Sequence, residues 1–163
     1  MMPVLSLKTF WRNDDGSALI EFGLLLPTLI LFLGLSVEGG RTFWSYQTTI
    51  TGVRDAARYL SRVVDRDICE TGGSVAEWNS RLTDIVRNTQ SGESLFPQAV
   101  SINAVTGTLT CHAGGYRRGP APVTTVTASL SIGVPFAGLF SLMGLQVKTV
   151  QTTVTDSTRI LGL

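Results

Sequence analysis

Ser17-Ala-Leu-Ile-Glu-Phe-Gly-Leu-Leu-Leu-Pro-Thr-Leu-Ile-Leu-Phe-Leu-Gly-Leu-Ser-Val37 is a run of 21 residues with one charge, Glu21. Fourteen of them are Ala, Val, Ile, Leu or Phe, and eight of those are leucine. As a helix the run rises roughly 32 Å, close to the ~30 Å hydrocarbon core of a bilayer. A helix buried in a soluble protein would show a polar face every few residues and would end sooner. The stretch 17–37 is therefore expected to be a transmembrane segment. Pro27 removes one backbone donor, which predicts a kink or a loosened turn there, and membrane helices tolerate this where neighbours satisfy the freed carbonyl.

The rest of the chain is of a different kind. The whole chain of 163 residues carries 13 Lys+Arg against 12 Asp+Glu, 15% charged and 44% hydrophobic residues, and a mean hydropathy of +0.25. The hydrophobic excess belongs mainly to residues 17–37, and what remains is polar and rich in Ser and Thr. A net charge of +1 offers no bulk basis for binding nucleic acid. One histidine and two cysteines leave few side chains for a metal or for histidine-based catalysis, so no cofactor and no metal are expected. G-x-S-x-G, H-E-x-x-H, P-loop and dinucleotide-binding patterns are all missing from the sequence. His112 stands alone, and Glu70, Glu77 and Glu93 are not spaced to share a face, so an enzyme is not expected.

Orientation is undecided by charge, because Lys8 and Arg12 precede the run and Arg41 and Arg54 follow it. Cys69 and Cys111 say more. They lie 42 positions apart, both after the apolar run, and neither belongs to a C-x-x-C pair. In an exported domain rich in Gly, Ser and Thr they are expected to form a disulfide, which puts the C-terminal part outside the cytoplasm.

After Gly39-Gly40, apolar residues recur at Phe43, Tyr46, Ile50, Val53, Ala57, Leu60 and Val64. The spacing alternates three and four, which predicts an amphipathic continuation of the helix over 38–66 that packs against the chain's own domain or against another subunit. Arg54, Arg58 and Arg62 form a ridge on another face, tempered by Asp55 and Asp65, and are expected to be solvated. The glycine pair weakens the helix locally and predicts a bend. Beyond residue 67, Thr71-Gly72-Gly73-Ser74 reads as a turn with Ser74 as N-cap. A helix then carries Val75, Trp78, Leu82, Ile85 and Val86 to about Gln90, where Ser91-Gly92 ends it. Eleven of 20 threonines lie past residue 100. Strands are expected at 98–105, 107–113, 122–134 and 145–156, with Val126, Ala128, Leu130 and Ile132 on one face of the third. The link 112–122, with Tyr116-Arg117-Arg118, reads as an exposed loop. The uncharged stretch 135–145 is too short to span a bilayer and fits either a core element or a contact surface. The fold class is α+β: a long N-terminal helix, one further helix and an antiparallel sheet, the folded part occupying 67–163.

On the N-terminal side of the run stands Asn13-Asp14-Asp15-Gly16. A carboxylate four residues after Ser17 is costly in a membrane, about 2.5–3.5 kcal/mol for an Asp at a helix centre and less near an end. The positive end of the helix dipole and snorkelling both reduce that cost. A cut between Gly16 and Ser17 would place an amine at the helix start, and Glu21 of a neighbouring, axially shifted copy would neutralise it.

This arrangement resembles the prepilin processing motif of type IV pilin-like proteins, with Gly16 before the cut and Glu21 as the fifth mature residue. Glu21-Phe22 is similar to the tight-adherence (Flp/Tad) variant. Pro27, Glu38, Gly40-Arg41 and Ala56-Ala57-Arg58 follow in the order found in TadE-like proteins, the minor pilins or pseudopilins of that system. The specific resemblance covers about residues 13–62, and a looser one covers 122–159. It implies a leader over residues 1–16, removed by a prepilin peptidase, and a single pass through the bacterial inner membrane with a periplasmic domain. It also implies later entry into a filament, in which Glu21 sets the register between subunits. The implied partners are the prepilin peptidase, other minor pilins, the major Flp pilin and the inner membrane, and the implied role is initiation, capping or regulation of the pilus. Two alternatives remain open on the residues. Gly34 and Ser36 satisfy a small-x-small rule for a secretory signal cut after Ser36, and an anchored or secreted periplasmic protein with a binding role unrelated to pili fits the same pattern.

Overall fold

The computed structural model describes residues 16–89, 91–115, 119–142, 144, 146 and 149–162. The expected leader, apart from Gly16, and the Tyr116-Arg117-Arg118 loop lie outside these. Helix α1, Ser17–Val63, is 47 residues long and runs as one hydrogen-bonded element through Pro27 and through Gly39-Gly40. The chain divides at Gly39/Gly40 into two compact units.

In the first unit α1 is rich in leucine, a good helix former, and its apolar side chains are exposed: Leu19, Leu24, Phe32 and Leu33 are 65–76% accessible. Its residues are long and apolar enough to cross a membrane. Burying such a surface in lipid removes the cost of exposing it to water, worth about 1.5–3 kcal/mol per large side chain. This is a membrane-anchoring helix.

The second unit is an α+β domain, and the remainder of α1 is one wall of it. Val53, Ala56, Ala57, Leu60 and Val64 are buried in a single core with Val126, Ala128, Leu130, Ile132 and Val154 of the sheet. The amphipathic residues after Gly40 are thus a structural part of the domain. A short helix α2, Ile68–Thr71, stops at Gly72, whose φ of 70° is left-handed and costs a glycine little. The N-cap expected at Ser74 is displaced: a 3₁₀ turn, Ala76–Trp78, begins after Val75 and leads into helix α3, Asn79–Arg87, with Trp78 at its N-cap. Ser74, one residue before Val75, only accepts at Oγ from the Ala76 N–H at 3.2 Å. The expected helix to Gln90 is shorter, because Asn88 turns extended and bridges Ser94. α3 buries Leu82 and Val86. It also lies very close to α1: a Cβ on Gly52 would come 3.1 Å from Val86 Cα.

The sheet is a three-stranded antiparallel meander, β1 (Val100–His112), β2 (Ala121–Gly133) and β3 (Thr149–Arg159), in the order β1-β2-β3. The expected strands 98–105 and 107–113 are one strand. Gly107 does not interrupt it, because the space its side chain would fill is occupied by Leu82 Cδ1 and Leu60 Cδ1, at 3.0 and 3.4 Å from an ideal Cβ. The irregularity lies earlier, as a register shift between Ile102 and Ala104. The last strand is displaced to Thr149–Arg159 from the expected 145–156; residues 145, 147 and 148 are not among those described.

β2 alternates as expected. Val126, Ala128, Leu130 and Ile132 are buried, while Thr125, Thr127, Ser129 and Ser131 form the outer face. That face pairs its hydroxyls across strands, Thr125 with Ser157 at 2.9 Å and Thr127 with Thr155 at 3.1 Å. The chain end returns to α1, where Leu161 and Gly162 N–H groups donate to Ser61 O at 2.9 and 3.2 Å.

Candidate functional site

Three features bear on function: the anchoring helix with its isolated carboxylate, the wall that α1 contributes to the domain, and the cross-link between its two halves. The first begins at Gly16, exposed and directly before the helix. Ser17 is the first residue of α1, and Glu21, one turn in, is exposed among exposed Leu19, Ile20 and Phe22. No acidic residue occupies the first turn itself, and among the described residues Glu21 is the nearest carboxylate to the helix's positive end. An ionised side chain on so apolar a surface needs a positive partner or contact with the headgroup layer once that surface is covered.

Of the residues expected to form a packing stripe, Val53, Ala57, Leu60 and Val64 are buried and Ile50 is packed against the core, while Phe43 and Tyr46 are exposed. Higher on this wall the buried positions are Ser45 and Thr49. Their hydroxyls donate to the carbonyls of Arg41 and Ser45, both at 2.9 Å. A hydroxyl satisfied within its own helix can be buried at small cost, so a search for apolar residues alone passes over these two. Arg41 Nη2 donates to Gly133 O and binds the end of β2 to the helix. Glu38, one turn earlier in sequence, is a buried carboxylate. Arg54, Arg58 and Arg62 are exposed, and Arg58 makes only a 3.9 Å surface contact with Asp55, worth little in stability.

α3 supplies two groups that sequence patterning does not reveal. Asn79 Oδ1 accepts from the Gly107 N–H at 2.8 Å, and Arg87 Nη2 donates to Ile102 O. Both satisfy backbone groups of β1, an edge strand whose open side would otherwise invite pairing. Cys69 and Cys111 form a disulfide, with Cα atoms 5.8 Å apart, between α2 and the end of β1. A groove of about 950 Å³ between α1 and α3 is lined by Gly52, Asp55, Tyr59, Arg81 and Ile85 among others. Tyr59 there meets Trp78 edge-on at 5.9 Å, with the Arg81 guanidinium 6.0 Å from the Tyr59 ring. Among the described residues no three His, Cys, Asp or Glu side chains come together to hold a metal ion.

An exposed apolar helix opens at Gly16-Ser17, carries Glu21 and Phe22, and continues into a domain wall through Ala56-Ala57-Arg58. Residues 16–58 match the family of TadE-like proteins. The TadE-like match covers about a quarter of the chain, all of it on α1 apart from Gly16, and it ends five residues before the helix does. No curated protein and no solved structure matches the chain. The matched segment takes in the apolar run and the first part of the domain wall, whereas the sheet, α3 and both cysteines lie beyond it.

Proposed function

We propose that this TadE-like chain is a minor pilin or pseudopilin of a tight-adherence pilus, cut between Gly16 and Ser17 by a prepilin peptidase. Its job is structural: it takes part in initiating, capping or regulating the fibre and performs no catalysis. The observation that carries this reading is the match beginning at Gly16, with Glu21 as the one charge in the following 21 residues. Before assembly α1 holds the chain in the inner membrane with its domain in the periplasm, a side on which the disulfide is stable. In assembly the same apolar surface packs against neighbouring subunits. There Glu21 meets the new Ser17 amine of an adjacent copy and sets the axial register. Other minor pilins, and through them the major Flp pilin, are the partners of that packing.

The test is the mature N-terminus of the protein from cells with and without the prepilin peptidase. A start at Ser17 that depends on the peptidase is expected. A start at Val37 identifies a secretory signal, and an uncut chain in peptidase-positive cells removes the pilin reading altogether.

A further inference from the structure

The region just past the apolar run carries a feature that neither pilin processing nor the domain core uses. Phe43 and Trp44 are 65% and 53% exposed, and Tyr46 is 37% exposed, although all three are large aromatic side chains. Phe43 follows Val37 by six positions, about 9 Å of helical rise. Successive residues of a helix are about 100° apart, so with Arg41 at the origin, Tyr46, Phe43 and Trp44 point at about 140°, 200° and 300°. Arg41 itself lies between Trp44 and the buried Ser45, and its guanidinium holds Gly133 O. Gly133 is the last residue of β2 and opens the connection 134–142, which contains helix α4, Ala137–Leu142. This connection has no charged residue, and its Phe136 is 40% exposed. The aromatic rings thus cover an arc of about 160° of the helix, and the uncharged loop held by Arg41 lies beside it, all within one turn and a half.

Several exposed aromatic side chains on one side of a helix, just after an apolar run in sequence, fit the headgroup layer of a bilayer, where rings with an apolar body and a polar edge are favoured. The outer face of the sheet has the opposite character, with its Thr and Ser hydroxyls paired in water. We propose that Phe43, Trp44, Tyr46 and the 134–142 connection led by Phe136 form one interfacial collar that seats the folded domain on the lipid headgroups. The occupant is lipid, because the collar's helical residues follow the apolar run in sequence, and the Arg41–Gly133 bond ties the 134–142 connection to that same stretch of helix. The inference rests on α1 being a membrane anchor and is independent of any role in a pilus.

The experiment uses the full chain in vesicles of phosphatidylethanolamine with a minor share of phosphatidylglycerol, the former carrying a tritium label. The photoreactive residue p-benzoyl-phenylalanine is placed singly at Phe136, at Phe22 in the apolar run, or at Thr127 on the outer sheet face. After irradiation, label is expected on the protein with the probe at Phe22 and at Phe136, several-fold above the probe at Thr127. Labelling at Phe22 with Phe136 no higher than Thr127 overturns the collar while leaving the anchor intact. Cross-linking of the Phe136 probe to a second copy in place of lipid also overturns it. Absence of label at Phe22 removes the anchor, and the collar falls with it.

Discussion

The disulfide allows the most direct calculation. Cys69 and Cys111 close a loop with a sequence separation of 42. In the chain-entropy account, restricting an unfolded chain by a loop of this size is worth about 4 kcal/mol at 25 °C. If the compact unit 40–163 unfolds cooperatively, its unfolding entropy at about 2.1 cal/mol/K per residue is about 0.26 kcal/mol/K, so losing the cross-link should lower Tm by about 15 °C. Cys111 is exposed, whereas Cys69 is half-buried against the core. Mild thiol reductant should therefore reach the bond in the folded protein, and alanine is a better replacement than serine at Cys69. The assay is thermal unfolding of the full chain in detergent micelles followed by near-ultraviolet circular dichroism. Three samples are compared: oxidised, reduced, and the Cys69→Ala/Cys111→Ala variant. Reduced and variant proteins should melt together, well below the oxidised one. A shift smaller than about 4 °C, equivalent to roughly 1 kcal/mol, would refute the entropic argument for this loop.

Three other outcomes follow from particular contacts. Gly52→Val should cost about 1–3 kcal/mol, because the added carbons meet the Val86 backbone, which cannot yield as a side-chain tip can; urea unfolding measures this. Asn79→Ala should cost about 1–3 kcal/mol by leaving the Gly107 N–H without its acceptor, with amide exchange at Gly107 accelerating more than elsewhere in β1. Glu21→Gln should leave the domain's melting temperature unchanged, because Glu21 lies outside the domain unit, while sharply lowering recovery of the protein with pili. Assembly at the native level would remove the register role.

How far the sequence discloses this molecule depends on how local the deciding physics is. The anchoring helix is legible because its signal is a long, almost uncharged run, which needs no knowledge of the rest of the chain. The inward face of β2 is legible for the same reason, as alternation within a few residues. Pairing of the cysteines is readable because there are only two. The division of β1 at Gly107 is misread from sequence because glycine weakens an isolated strand, whereas here Leu60 and Leu82 fill the space of its missing side chain. Ser45 and Thr49 escape a search for apolar stripes, since their hydroxyls are satisfied by their own helix. Asn79 is illegible, because its partner lies 28 residues away on a strand edge and nothing near Asn79 points there. Phe43 and Tyr46 share the spacing of the buried stripe yet remain outside the core, so periodicity alone does not tell where a helix's own domain ends.

The family match ends at Arg58, while the wall to which the domain adheres runs on through Leu60 and Val64. The end of the matched segment therefore falls inside a hydrophobic core and not at a linker. A different domain could be carried on the same anchor only if it offered an apolar face fitted to Val53, Ala56 and Ala57, whose small side chains admit a close sheet. The helix thus acts as a socket as well as a tether, and its shape limits which folded heads can be mounted on it.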